Sequence, residues 1–215
     1  MFEHSAKEEL SKVAPLAARM RPKTFEDFIG QEKIIGSNSI LRRNLNNGNV
    51  PSMILWGPPG SGKTTLANLI SKSSKMALEN LSAVTSGVSE IKASIKEAEN
   101  RLAMNRKRTI LFIDEIHRLN KSQQDVVLPY VENGIITLIG ATTENPSFEV
   151  IAPLLSRSQV FKLNQLDSAN IEELLKKAIM DPDNGLGKNK ISLEPKSLNL
   201  IAEMSSGDAR WAYNV

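Results

Sequence analysis

Residues 54–66 read ILWGPPGSGKTTL, and their types and spacing are those of a phosphate cradle. Gly57, Gly62, Lys63 and Thr64 satisfy G-x-x-x-x-G-K-[ST], behind an apolar run suited to a buried strand and ahead of a helical pattern. Glycines let backbone N–H groups close around phosphate oxygens, the helix that follows points its positive end at them, and Lys63 adds a mobile cation. On this reading Gly57, Pro58, Pro59, Gly60, Ser61, Gly62, Lys63, Thr64 and Thr65 bind the phosphates of ATP. The Thr64 hydroxyl holds Mg²⁺.

A cradle needs a second group to hydrolyse anything. TILFIDEIH, residues 109–117, places two adjacent carboxylates, Asp114 and Glu115, at the end of a buried strand. In an open parallel sheet ligands gather at the C-terminal strand ends, which sets this pair beside the cradle. Neighbouring residues point in different directions and divide the labour: Asp114 binds hydrated Mg²⁺, and Glu115 orients and deprotonates water. His117 reads as a structural histidine, and His4 as inert. IGATTENPSF, residues 139–148, releases a polar turn whose hydroxyls could sense a terminal phosphate. Trp56 and Trp211 read as packing residues.

These groups require a scaffold that alternates strands and helices. Strand-like runs lie at 52–56, 76–84, 109–113, 135–140 and 159–163. Between the second and third, Val88, Ile91, Ile95, Ala98 and Leu102 recur at helical spacing. A helix is expected over 37–48 with Ser37 or Asn38 as its cap. The alternation predicts an α/β fold with a five-stranded parallel sheet covered on both faces. After residue 164 the pattern is purely helical: Ile171, Leu174, Leu175, Ala178 and Ile179 form a stripe, a polar linker spans 181–190, and another helix opens at Pro195 and closes near Gly207. The expected organisation is an N-terminal arm over 1–20, an α/β core over 21–164 and a partial all-helical domain over 165–215, the last residues falling inside a further helix as if the chain continued.

The 215 residues carry 27 basic and 24 acidic side chains, a net charge of +3, and no cysteine. That excludes a disulfide framework and thiolate metal sites, and no apolar run approaches the roughly 20 residues of a membrane span. The clusters Arg42-Arg43 and Arg106-Lys107-Arg108 read first as solvated faces, with nucleic-acid contact the alternative, and 5% aromatics leave little to stack bases on.

In order and spacing, GPPGSGKT, LFIDEIH, IGATTENPSF, LLSRSQVF and SGDAR resemble AAA+ ATPases of the clamp-loader clade. PLAARMRP, LSAVTSGVSEIK, HRLNKSQQD and VENGIITLIGATTENPSFE are similar, more closely, to the bacterial replication-associated recombination protein A family, the counterpart of the eukaryotic Werner-helicase-interacting protein. The resemblance implies a P-loop NTPase core followed by a helical lid. It makes Thr143 a sensor of the γ-phosphate, Arg157 an arginine finger reaching a neighbouring subunit's nucleotide, and Arg210 a second sensor carried by the lid. It also places Phe28, Ile29 and Gly30 near the adenine. Ser158 stands where the clade often has cysteine, and Trp211 where many relatives have a second basic residue.

The function implied is a DNA-stimulated ATPase in replication-fork maintenance, recombination and repair, in the cytoplasm with the nucleoid. Its implied partners are gapped DNA, single-strand/duplex junctions, single-strand-binding and other replication proteins, and copies of itself in the full-length protein, with no membrane. Without further helices this chain is expected to be largely monomeric. Two alternatives stay open: a Holliday-junction branch-migration motor, and a nucleotide-gated scaffold that recruits replication proteins, against which the base Glu115 argues.

Overall fold

The computed structural model describes residues 14–189 and 191–215; His4 and most of the expected arm lie outside them. The chain divides into two compact units, one of residues 31–58 and 62–164, the other including residues 14–30, 59–61 and 165–215.

The first unit is the sheet. Short helices α2 (Glu32–Ile35) and α3 (Ile40–Asn46) lead into β1 (Met53–Trp56), followed by α4 (Lys63–Ser74), β2 (Ala77–Ser82), α5 (Val88–Asn105) and β3 (Thr109–Asp114). After a 3₁₀ turn at Ile116–Arg118 come α6 (Lys121–Glu132), β4 (Ile136–Thr142), α7 (Pro146–Glu149), α8 (Ala152–Ser156) and β5 (Gln159–Lys162). The helix α1 (Leu16–Arg19) precedes all of these and belongs to the second unit. The strands form one sheet in the order β2-β3-β4-β1-β5, parallel throughout. The sequence explains the centre of this order. β3 and β4 are continuous apolar runs, as strands covered on both faces must be, and every residue of β4 is buried. β5 is an edge, and its side chains are mostly exposed.

Ile91, Ile95 and Ala98 of α5 seal one face against Leu111, Ile113 and Leu138. Full burial of each such aliphatic side chain contributes about 1.5–3 kcal/mol. The expected stripe is narrower than its spacing implied: Val88 at the first turn is 38% exposed. The helix expected over 37–48 is α3 alone. Its cap is Ser39, whose hydroxyl accepts from Arg42 N at 3.2 Å; Ser37 and Asn38 stand before it in a turn closed by Ser39 N donating to Gly36 O.

The second unit is helical. α9 (Ser168–Met180), α10 (Pro195–Met204) and α11 (Ala209–Ala212) pack Leu166, Ile171, Leu175, Leu198, Ala202 and Ala212 into a small core. Asp167 caps α9 through Asn170 N at 2.7 Å, and Pro195 at the first position opens α10. Trp211, expected to pack, is 39% exposed instead, because the buried side of the one-turn α11 is taken by Ala212.

Candidate nucleotide site

Glycine is required at the start of the cradle by crowding. Gly57 N donates to Thr142 O at 3.1 Å, and a Cβ on Gly57 would lie 2.5 Å from Leu163 O. At the other end Gly62 has φ +98°, the left-handed region that glycine enters without steric cost. Gly62 also precedes α4 with no side chain to cap it. Gly62 itself offers this twelve-residue helix no side-chain cap, and a helix start is where an anion can be taken. Lys63 is buried, and its Nζ donates to Gly57 O at 2.7 Å and Pro58 O at 2.9 Å. An ammonium held on two carbonyls of its own loop can transfer to phosphate oxygens with little movement of the backbone. Thr64 and Thr65, both half-buried, open the first turn of α4.

The sheet register brings the acidic pair alongside. Ile113 of β3 pairs with Gly140 of β4, and Trp56 of β1 pairs with Thr142 of β4, so the ends of all three strands share one rim. Asp114 closes β3, and its carbonyl accepts from Ala83 N at 3.0 Å. Glu115 leaves the strand with φ +54° and ψ +46°, a left-handed conformation that costs a non-glycine residue about 1–2 kcal/mol and is concentrated at functional sites. The turn separates the two carboxylates, as a division between metal binding and base requires.

Two residues that sequence reasoning passed over complete the rim. Glu115 Oε2 lies 3.3 Å from His117 Nδ1, and that nitrogen lies 3.0 Å from Thr142 Oγ1. With a carboxylate oxygen and a hydroxyl oxygen both facing Nδ1, the proton belongs on that nitrogen. Thr142 is fully buried and its hydroxyl also accepts from Glu144 N at 3.0 Å. Hydrogen bonds thus link Gly57 to Thr142 and Thr142 to His117, and a 3.3 Å contact continues from His117 to the Glu115 carboxylate. Thr143, the expected sensor, follows directly and is half-buried. The signal that could have found His117 was its offset of two from Glu115, which a single turn brings side by side.

Arg157 lies outside this rim, at the end of α8. Its guanidinium is exposed, donates to Pro153 O and Ser156 Oγ at 3.0 Å each, and pairs with Glu132 at 2.7 Å. Phe28, Ile29, Gly30 and Arg210 belong to the helical unit, as do Pro59, Gly60 and Ser61 of the cradle. Phe28 is buried, and Gly30, at φ +75°, has its α-carbon so close to the segment before α9 that a Cβ would meet Leu166 Cδ2 at 2.7 Å. Arg210 is exposed in the first turn of α11, where Asp208 caps its N–H at 2.8 Å.

Among the described residues no three His, Cys, Asp or Glu side chains converge to hold a metal. One hydroxyl and one carboxylate suit Mg²⁺, which keeps its waters and binds through substrate phosphates rather than in an all-protein cage. No helix of the described residues is long and apolar enough to cross a membrane.

Comparisons with known proteins bear on the family. Residues 20–163 match the family model described as the Holliday junction DNA helicase RuvB P-loop domain. The replication-associated recombination protein A of Haemophilus influenzae is 51% identical over 201 residues, which are 93% of this chain and 45% of that protein. ATPase WRNIP1 of Dictyostelium discoideum is 48% identical over 94% of this chain and 23% of its own length. The structure of the Thermotoga maritima RuvB Holliday junction branch migration motor superimposes with a TM-score of 0.72 at 30% identity, covering 91% of this chain and 63% of that one. The chain thus spans less than half the length of these curated relatives. With residues 20–163 matched to that family model and a five-stranded parallel sheet, the chain belongs to the RuvB P-loop domain family of AAA+ ATPases.

Proposed function

We propose that this chain is the ATP-hydrolysing part of a DNA-dependent ATPase that maintains replication forks and serves recombination and repair. The observation that carries the chemistry is the run of contacts from Gly57 through Thr142 and His117, by hydrogen bonds, to the Glu115 carboxylate 3.3 Å from His117 Nδ1. ATP lies with its phosphates over residues 57–65. Lys63 exchanges its two carbonyl partners for the β- and γ-phosphates. Thr64 and Asp114 would hold Mg²⁺, which would supply positive charge against the phosphates. Glu115, oriented by His117, positions water and accepts its proton, a contribution of about 10²- to 10⁴-fold. Thr143 reads the γ-phosphate, Arg210 reports it to a helical lid over 165–215, and Phe28 to Gly30 border the base. Arg157, exposed on the sheet unit, serves a neighbouring copy in the full-length protein, which is therefore an oligomer working in the cytoplasm, with single-strand-binding and other replication proteins as partners.

The biological assignment is supported by the relatives named for replication-associated recombination, at 51% identity across 93% of the chain. The matched RuvB model and the 30% identity to the branch migration motor favour a second reading, movement of Holliday junctions. Turnover of ATP measured with no DNA, with gapped duplex and with a four-way junction separates the two. Stimulation by gapped duplex beyond that by the junction is expected. The reverse order favours the motor, and no stimulation by either removes the DNA dependence.

A further inference from the structure

At the opposite rim of the sheet a depression of about 480 Å³ is lined by Lys75, Arg106, Lys107 and Arg108 together with Gly48, Ser74, Met76 and Asn105. It lies at the strand starts, before Ala77 of β2 and Thr109 of β3, one strand length of about 20 Å from the nucleotide rim. All four basic side chains are exposed, and among the described residues none makes a hydrogen bond or ion pair; no acidic residue lines the depression. Four unpaired cations in one place exceed the net charge of +3 on the whole chain.

Helix electrostatics explain only part of this. Lys75 and Arg106 end α4 and α5 in the left-handed conformation, at φ +58° and +50°. Glycine is the usual residue there, and a side chain costs about 1 kcal/mol, which a cation at a helix C-terminus recovers only as about 0.3–1 kcal/mol. Moreover, the last carbonyls are already met by backbone N–H groups: Lys75 N donates to Lys72 O, and Arg106 N to Leu102 O. Arg108 stands two residues beyond the C-cap Arg106, where the pull of the helix end has weakened.

We propose that this depression binds the phosphodiester backbone of DNA, and so supplies the DNA contact on which the proposed function rests. The charges are exposed and spread over two segments, an arrangement that suits a polyanion running across the surface better than a single enclosed anion. No aromatic side chain lines it, so it grips backbone without reading bases.

The test is fluorescence anisotropy of a labelled gapped duplex across a salt series, comparing the unaltered chain with R106A/R108A and with K92A/K96A, which removes the same charge from exposed positions on α5. R106A/R108A is expected to bind at least tenfold more weakly at low salt and to flatten the log K against log salt slope by about 1.5, with about 0.7–0.9 lost per phosphate contact. It keeps its melting temperature and its affinity for a fluorescent ATP analogue. Equal binding by R106A/R108A, an equal loss in K92A/K96A, or no binding by the unaltered chain overturns the proposal. So does displacement of DNA by inorganic phosphate beyond its ionic strength, which marks a free-anion pocket, or by polyglutamate at equal charge, which marks an acidic protein partner. If R106A/R108A loses DNA while DNA leaves turnover unchanged, the depression stands and the DNA-stimulated ATPase falls.

Discussion

At the scale of single residues the site is a base that another side chain holds. Glu115 is half-exposed and sits on a left-handed turn, so its carboxylate is fixed by His117 Nδ1, which Thr142 Oγ1 fixes in turn. Replacing His117 with alanine should leave ATP affinity within about twofold and lower turnover by about tenfold, the effect of losing the group that orients the Glu115 carboxylate. Thr142→Val should do the same, and the double variant should lose less than the product of the two, since the residues act through one another. A rise in the Michaelis constant with unchanged turnover would instead assign His117 to binding. Lys63→Ala should weaken ATP binding tenfold or more, measured by calorimetry, because the group lost donates charged hydrogen bonds. Lys63, Asp114 and Glu115 could be proposed from the sequence because a phosphate and its metal would dictate their type and spacing. His117 and Thr142 were not. They are 25 positions apart, and only the pairing of β3 with β4 makes them neighbours.

Among the elements, the rim depends on how β4 and the turn after it are held. Gln124 of α6 is 1% exposed and ties three backbones: its Nε2 donates to Leu119 O at 3.1 Å and Glu149 O at 2.9 Å, and its Oε1 accepts from Ile151 N at 2.9 Å. Gln124→Leu strands those groups in the interior and should destabilise the chain by about 2–4 kcal/mol, read as a lower thermal midpoint. Gly57→Ala should lose about 1–3 kcal/mol through overlap with Leu163 O. In the helical unit, burial pushes the Tyr213 hydroxyl up to about 12. A folded-state pKa raised above the unfolded value of 10.0 means that its stabilising effect is intact below pH 10 and fades as pH climbs from 10 towards 12. Absorbance titration should therefore show one tyrosine ionising late, a step that Tyr213→Phe removes; two tyrosines ionising together near pH 10 would contradict its burial. The strands and the α9 stripe could be read in advance because apolar runs and helical periodicity are local signals. The position of the α3 cap and the exposure of Trp211 could not, since each depends on which side of a short helix its unit covers.

For the molecule as a whole, the proposal that Arg157 works between copies makes its own prediction. Its guanidinium is exposed and its pair with Glu132 lies at the surface, where such pairs contribute about 0–1 kcal/mol. Arg157→Ala should accordingly leave folding and ATP affinity unchanged and lower the turnover of an assembled full-length protein by about 10³-fold or more. Mixing it with a Glu115→Gln protein should restore activity at mixed interfaces, and a mixture no more active than its parts would place Arg157 outside the reaction. The central claim is that Glu115 activates water against ATP bound at the Lys63 rim, and the turnover number of Glu115→Gln tests it most directly. A fall of about 10²-fold or more with ATP still bound is the predicted result; turnover equal to that of the unaltered chain would contradict it.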